Sequence, residues 1–203
     1  MLLVRHGQTA TTGTVLPGRA PGLHLADQGR AQADAAAGRI ADLKQVDAVY
    51  CSPLERTRET AAPIAAARGL RATAEKGLLE CDFGEWTGQE LKELVKRPEW
   101  QQIQRYPSGF RFPSGESFAE MQTRMVGTID RLRGAHDGGV VVAVSHADPI
   151  KAAVAHALGT HLDLFQRIVV SPGSVTAIAY GPLGPTVLTV NSTGGSLAEL
   201  RAS

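Results

Sequence analysis

Cysteine is almost missing from this 203-residue chain. Cys51 and Cys81 are the only two, too few for a disulfide framework or a cysteine-based metal cluster. Aromatic residues make up 5%, so the core has to be built from Ala, Val, Leu and Ile. No apolar run approaches the ~20 residues of a membrane-spanning helix, which argues against membrane residence. Net charge is lacking too. Lys plus Arg is 21 and Asp plus Glu is 20, a formal charge of +1, so bulk charge would not draw the chain to nucleic acid or an anionic membrane. Met1 leads directly through Leu2-Leu3-Val4 to Arg5, with no room for a signal peptide, and the expected location is cytoplasmic. What is present is 43% hydrophobic and 20% charged residues, the balance of a globular chain with a real core. The length predicts one domain, 1–203, carrying an insert at about 80–134.

Periodicity alternates along the chain. Leu2-Leu3-Val4 is a short buried strand that stops at Arg5-His6-Gly7. Apolar residues recur at helical spacing over 27–43, with Asp27 as a plausible cap. A second strand is expected over 46–51. Ser52-Pro53-Leu54-Glu55 then combines a capping Ser, a first-turn Pro and a capping-box Glu, so a helix is expected from Pro53 to about Gly69. A weak strand over 71–75 and a turn-rich stretch over 79–86 come next. Residues 88–97 look helical, 98–115 irregular, and 116–132 helical. Val140 to Val144 is the strongest strand, with a helix starting at Pro149 and ending near Leu158. Strands are expected over 168–170, 175–180 and 186–190, the last ones including a hairpin. The pattern is that of an α/β fold: a three-layer α/β/α sandwich with a mainly parallel central sheet and a helical insert over the C-terminal strand ends.

Open α/β sheets place their sites at the carboxyl ends of strands. The first strand delivers Arg5, His6, Gly7, Gln8 and Thr9; the second delivers Ser52 and, one turn on, Arg56; the strong strand delivers Ser145, His146 and the N-terminus of the next helix. Two Arg, two His and a helix N-terminus gathered from distant parts of the chain suit a small dianion. Arg forks match paired oxygens, and imidazole serves as nucleophile or donor.

Four stretches then resemble a known family in order. Leu3-Val4-Arg5-His6-Gly7-Gln8-Thr9 resembles the opening signature of the histidine phosphatase superfamily, the phosphoglycerate-mutase-like proteins. Cys51 to Ala61 is similar to its second motif, Glu80 to Gly88 to its acid motif, and Val144-Ser145-His146-Ala147-Asp148-Pro149-Ile150-Lys151 to its fourth, with Pro113-Ser114-Gly115-Glu116-Ser117 matching in the insert. Within the superfamily the chain looks most like an actinobacterial branch described only as phosphatases or phosphomutases. The resemblance implies that His6 is the nucleophile, that Arg5 and Arg56 bind phosphate with His146 as a further donor, and that Glu80 is the proton donor. Thr9 and the backbone of Ala147 are lesser members of the phosphate shell, and Asp82 is the alternative acid. Two Arg and two His would take the place of a divalent cation, so neither metal nor other cofactor is expected.

The chain departs from the sugar-phosphate mutases after Thr9, where Ala10-Thr11-Thr12 replaces their Trp and Asn, and at Ala26, where relatives often have Thr. It is also shorter than those mutases. A mutase must shield its phosphohistidine from water, so these departures favour hydrolysis of a small phosphorylated metabolite. A phosphomutase, or a phosphate-binding module without catalysis, stays as the alternative. Arg19, His24 and Arg111 are the candidate specificity residues. The aromatics Trp86, Trp100, Tyr106, Phe110 and Phe112 either line an entrance or pack the insert onto the sheet. Apolar residues 187–190 leave room for a homodimer.

Overall fold

A computed structural model describes residues 1–198 and 200. Six strands form one sheet in the order β3-β2-β4-β1-β5-β6. β1 (Leu2–Arg5) and β4 (Val141–Ser145) lie parallel at its centre, β2 (Ala48–Cys51) pairs parallel with β4, and β3 (Ala72–Ala74) pairs parallel with β2. β5 (Val175–Gly181) runs antiparallel to β1, and β6 (Gly184–Ser192) closes the hairpin at the far edge. The sheet is therefore mostly parallel, with an antiparallel pair on one side.

Side-chain alternation along the strands builds the three layers. Leu2, Val4, Val142 and Val144 point to one face, where they pack with Ala36 and Ile40 of α1 (Asp27–Ala41) and with Ala61 and Ile64 of α2 (Glu55–Ala66). Leu3 and Ala143 point to the other, against Met125 and Ile129 of α5 (Phe118–Ala135) and Ile150 and Val154 of α6 (Ala147–Ala157). α5 opens on a full capping box, Ser117 and Glu120 each satisfying the other's backbone N–H. The aromatic residues of the insert form their own core: Trp86, Phe110, Phe112 and Phe118 are all buried, with ring centroids 5.0 to 5.7 Å apart. They pack the insert rather than line an opening, and only Tyr106 of the five candidates is exposed. No helix among the described residues is long and apolar enough to cross a membrane.

Several local expectations change. α2 starts at Glu55 with Leu54 in the capping position, so Ser52 caps nothing; its hydroxyl bonds His146 instead. Asp27 is the first residue of α1 rather than its cap. The helix expected over 88–97 shrinks to α3 (Leu91–Leu94), whereas the stretch read as irregular holds α4 (Pro98–Arg105), opened by a first-turn Pro. Residues 168–170 form no strand: the Val170 carbonyl accepts from Arg5 Nη1 at 2.7 Å. α6 begins at Ala147, two residues before Pro149, directly after the central strand.

Candidate active site

Register sets the site. Arg5 lies opposite Ser145 and Cys51 opposite Val144, so the three central strands end at one level. The pairing extends one step further, His6 N–H to the Ser145 carbonyl at 3.0 Å and Ser52 N–H to the Val144 carbonyl at 2.9 Å. His6, Ser52 and His146 are thus placed beside one another before any side chain is considered.

His6 is 6% exposed. Its Nδ1 lies 2.7 Å from the Gly7 carbonyl, which can only accept, so Nδ1 carries the proton and Nε2 keeps its lone pair. Burial first, then the Arg56 cation, push its pKa down to about 3, with the Gly7 carbonyl pulling the other way and Arg5 adding a lesser push down. The ring is neutral at pH 7 with a defined tautomer. Gly7 is obligatory for steric reasons: a Cβ there would sit 2.2 Å from the Gly29 carbonyl oxygen of α1. Its N–H is held by Thr60 Oγ1 at 3.0 Å, tying the loop to α2 as well.

Around His6 stand groups that donate. Arg56 is fully buried, yet among the described residues its Nε and Nη1 have no protein partner; the same is true of Arg5 Nε. Buried guanidinium N–H groups without acceptors are costly, and an anion between them would satisfy them. Arg56 Nη2 donates to the Gly18 carbonyl at 2.7 Å and lies 3.3 Å from His146 Nδ1. Because guanidinium only donates, Nδ1 accepts here and Nε2 of His146 carries the proton, 2.9 Å from Ser52 Oγ. Burial and the adjacent cations hold His146 neutral, its pKa well below the usual value. The two imidazoles meet edge to face with centroids 5.2 Å apart. Ala147 opens α6 here, so the positive end of an 11-residue helix faces the same place.

Glu80 is buried and accepts from the Cys81 N–H at 3.0 Å. Burial, then the Asp148 carboxylate, raise its pKa to about 7, against the pull of the Cys81 N–H, Arg56 and Arg5. A carboxyl that holds its proton near neutrality beside two arginines has the property a proton donor needs. Asp82 faces elsewhere, receiving the Gly84 N–H at 3.0 Å and Arg19 at 3.4 Å. Asp148, which the sequence marks only as a helix-start residue, emerges as the electrostatic neighbour of Glu80 and Arg5. The sequence likewise hides Ser52 as a partner of His146; a Ser followed by Pro carries the stronger local signal of a helix cap.

The remaining candidates are placed differently. The Thr9 hydroxyl is buried and paired with Thr12 Oγ1 at 3.0 Å, and Thr12 also receives the Thr9 N–H at 2.9 Å. Thr12 therefore holds the loop together. All three guanidinium nitrogens of Arg19 are engaged, on Glu80 O, Asp82 and Glu116. Arg111 is exposed and paired with Glu120 and the Gly115 carbonyl, within the insert. His24 is exposed and bonded to Glu59 of α2. None of the three contributes a free cation to the strand ends. Among the described residues no group of three or more His, Cys, Asp or Glu is arranged to hold a metal ion. A cavity of about 920 Å³ opens at the opposite end of the sheet, beside Met1, Leu43, Val140 and Ile178, away from this chemistry.

The family model of the histidine phosphatase superfamily (branch 1) matches residues 1–193. The chain is 31% identical over 198 residues to phosphoserine phosphatase 1 of Hydrogenobacter thermophilus, covering 95% of this chain and 92% of that one. It is 34% identical over 198 residues to a bifunctional protein of Mycobacterium tuberculosis, covering 96% of this chain but 54% of that one, so it spans about half of that relative's length. A mycobacterial glucosyl-3-phosphoglycerate phosphatase superposes with a TM-score of 0.85 at 22% identity, over 95% of this chain and 98% of that one, which shows the shared fold. With a matching family model over nearly its whole length and the two-histidine, two-arginine floor in place, this chain belongs to the histidine phosphatase superfamily, branch 1.

Proposed function

We propose that the chain is a metal-independent phosphatase of the cytoplasm that hydrolyses a small phosphomonoester through a phosphohistidine on His6. The observation that carries this reading is the state of His6: neutral, desolvated, its Nε2 lone pair free, next to buried Arg5 and Arg56 N–H groups that lack acceptors. Phosphate oxygens would fill those donors, and Arg forks with a helix N-terminus would neutralise charge as it spreads over the equatorial oxygens.

In the first step the Nε2 lone pair attacks phosphorus and the bond from phosphorus to the ester oxygen breaks. The leaving alkoxide takes the Glu80 proton, and His6 is left phosphorylated. In the second step water attacks phosphorus, the P–N bond returns its electrons to Nε2, and the Glu80 carboxylate takes the proton of the water. Inorganic phosphate leaves and both groups return to their starting forms. His146 serves as a further donor to the phosphate only in its other tautomer, with the proton on Nδ1 and Nε2 accepting from the Ser52 hydroxyl.

Hydrolysis is favoured over mutase chemistry by Ala10-Thr11-Thr12 in the stretch where the mutases resembled carry Trp and Asn, and by a relative named as a phosphoserine phosphatase. The test is incubation with an aryl phosphate and a panel of phosphorylated metabolites, following free phosphate, isomer formation and labelling of the protein. Phosphate release that is insensitive to EDTA and abolished in His6→Ala is expected. Isomer formation without phosphate release would select the mutase, and equal release by His6→Ala would exclude the nucleophile.

A further inference from the structure

We propose that Arg19, Glu116 and Arg124 form a positioning clamp that aims Glu80 at the leaving oxygen, an inference resting on the reading of Glu80 as proton donor. The Glu80 carboxyl folds back on its own chain, Oε1 accepting the Cys81 N–H at 3.0 Å. Its position therefore tracks the backbone at 80–81 rather than a free side-chain rotation. That backbone is gripped from two sides. The Glu80 carbonyl accepts from Arg19 Nε at 2.8 Å and from Arg124 Nη2 at 3.3 Å, while Arg124 Nη1 takes the carbonyls of Gly77 and Leu79 at 2.8 and 2.9 Å.

Glu116 locks the two guanidiniums together. Its Oε1 meets Arg124 Nε at 2.8 Å; its Oε2 meets Arg124 Nη2 at 2.9 Å, Arg19 Nη2 at 2.8 Å and the Asp82 N–H at 3.2 Å. The side chains of Arg19, Arg124 and Glu116 are only 28%, 22% and 16% exposed, so solvent screens this array far less than an ordinary surface pair. The clamp draws on three separate segments: the loop before α1, the turn before α5, and α5 itself. Backbone contact seals it. A Cβ on Gly115 would lie 2.4 Å from the Asp82 carbonyl oxygen, and one on Gly84 would lie 2.0 Å from that of Pro113. The turn at 113–116 is thus pressed onto the loop that carries the acid, and its placement becomes the placement of the proton.

Proton donation to a leaving group is sensitive to fractions of an ångström, and it matters only where the leaving group needs a proton. That separates aiming the acid from merely supporting the fold. The experiment measures kcat/KM, which reports formation of the phosphoenzyme, for glycerol 2-phosphate and for p-nitrophenyl phosphate in the full chain and in Glu80→Gln, Glu116→Gln and Arg19→Lys. Glu80→Gln is expected to lose roughly 100-fold on the alkyl ester and little on the aryl ester. Glu116→Gln should show the same selectivity at roughly 10-fold, with Arg19→Lys in the same direction. Arg19→Lys keeps the charge and supplies a second reading should Glu116→Gln fail to fold. Equal losses on both esters, or none on either, in the clamp variants overturn the clamp while selective loss in Glu80→Gln keeps the acid. Absence of selectivity in Glu80→Gln itself overturns the acid and the clamp with it.

Discussion

Four arginines surround this site, and they divide into two regions by what their N–H groups touch. On the floor, at the end of β1 and in the first turn of α2, Arg5 and Arg56 keep buried N–H groups without acceptors among the described residues. In the shell beneath the acid loop, Arg19 and Arg124 are engaged on backbone carbonyls and on Glu116, with every one of their nitrogens bonded. Charge is equal in the two regions; the difference is in unsatisfied donors. A guanidinium with spare buried N–H groups is built to receive an anion, and one whose forks are filled by the protein is built to hold the protein still. By the same accounting a net charge of +1 is no bar to the proposed dianion site, which draws on two guanidiniums and not on the sum over 203 residues.

The largest expected effect breaks the comparison at the floor. Arg56→Ala should lower kcat/KM by roughly 100- to 1,000-fold for aryl and alkyl phosphates alike, because charge on the phosphoryl oxygens develops with either leaving group. Arg19→Ala should cost the aryl ester less than about 10-fold; a loss as large as that of Arg56→Ala would erase the distinction between the two regions.

Next comes the pH profile. Glu80 must be protonated to donate, and its pKa is raised to about 7, so kcat/KM for an alkyl phosphate should fall as pH rises through that value. In Glu80→Gln the fall should vanish from a lower plateau, and its persistence would move the titration to another group. The same raised pKa acts on stability. Between 4.5 and about 7 the folded state keeps a proton that the unfolded chain releases, so the Glu80 contribution is lost as pH rises through this window. Glu80→Gln should therefore melt higher than the parent protein at pH 8, by on the order of 1–3 kcal/mol, and lose that advantage near pH 4.

The last effect is steric. Gly7→Ala forces a Cβ to within 2.2 Å of the Gly29 carbonyl oxygen and should destabilise by about 1–3 kcal/mol in denaturant melts, with activity falling further as His6 shifts. Unchanged stability would mean that the loop between β1 and α1 yields more readily than its contacts indicate.

Much of the floor is legible in the sequence because strand ends are. Leu2-Leu3-Val4 and Val140 to Val144 can hardly be anything but buried strands, and the residues just after each strand are delivered to one edge of the sheet. The shell is illegible for a physical reason: Arg19 and Glu116 are 97 residues apart, and nothing local distinguishes an arginine that will be saturated from one that will face a substrate. Arg19 and Arg111 accordingly read as specificity residues until their partners are seen. Ser52 misleads differently, since Ser-Pro is a strong local cap signal that yields to the tertiary bond with His146. The helix at Pro98–Arg105 is hidden because its first-turn Pro and the Pro, Gly and aromatic residues beyond it suggest a loop.

The central claim is that His6 accepts the phosphoryl group on Nε2, the nitrogen left free by the Nδ1 bond to the Gly7 carbonyl. Rapid quench during turnover of a labelled phosphomonoester, with the modified residue and the ring position then mapped by mass spectrometry and phosphorus NMR, tests it directly. An acid-labile phosphate on Nε2 of His6, absent from His6→Ala, is predicted. Label on any other residue, on Nδ1, or undiminished turnover in His6→Ala would contradict it.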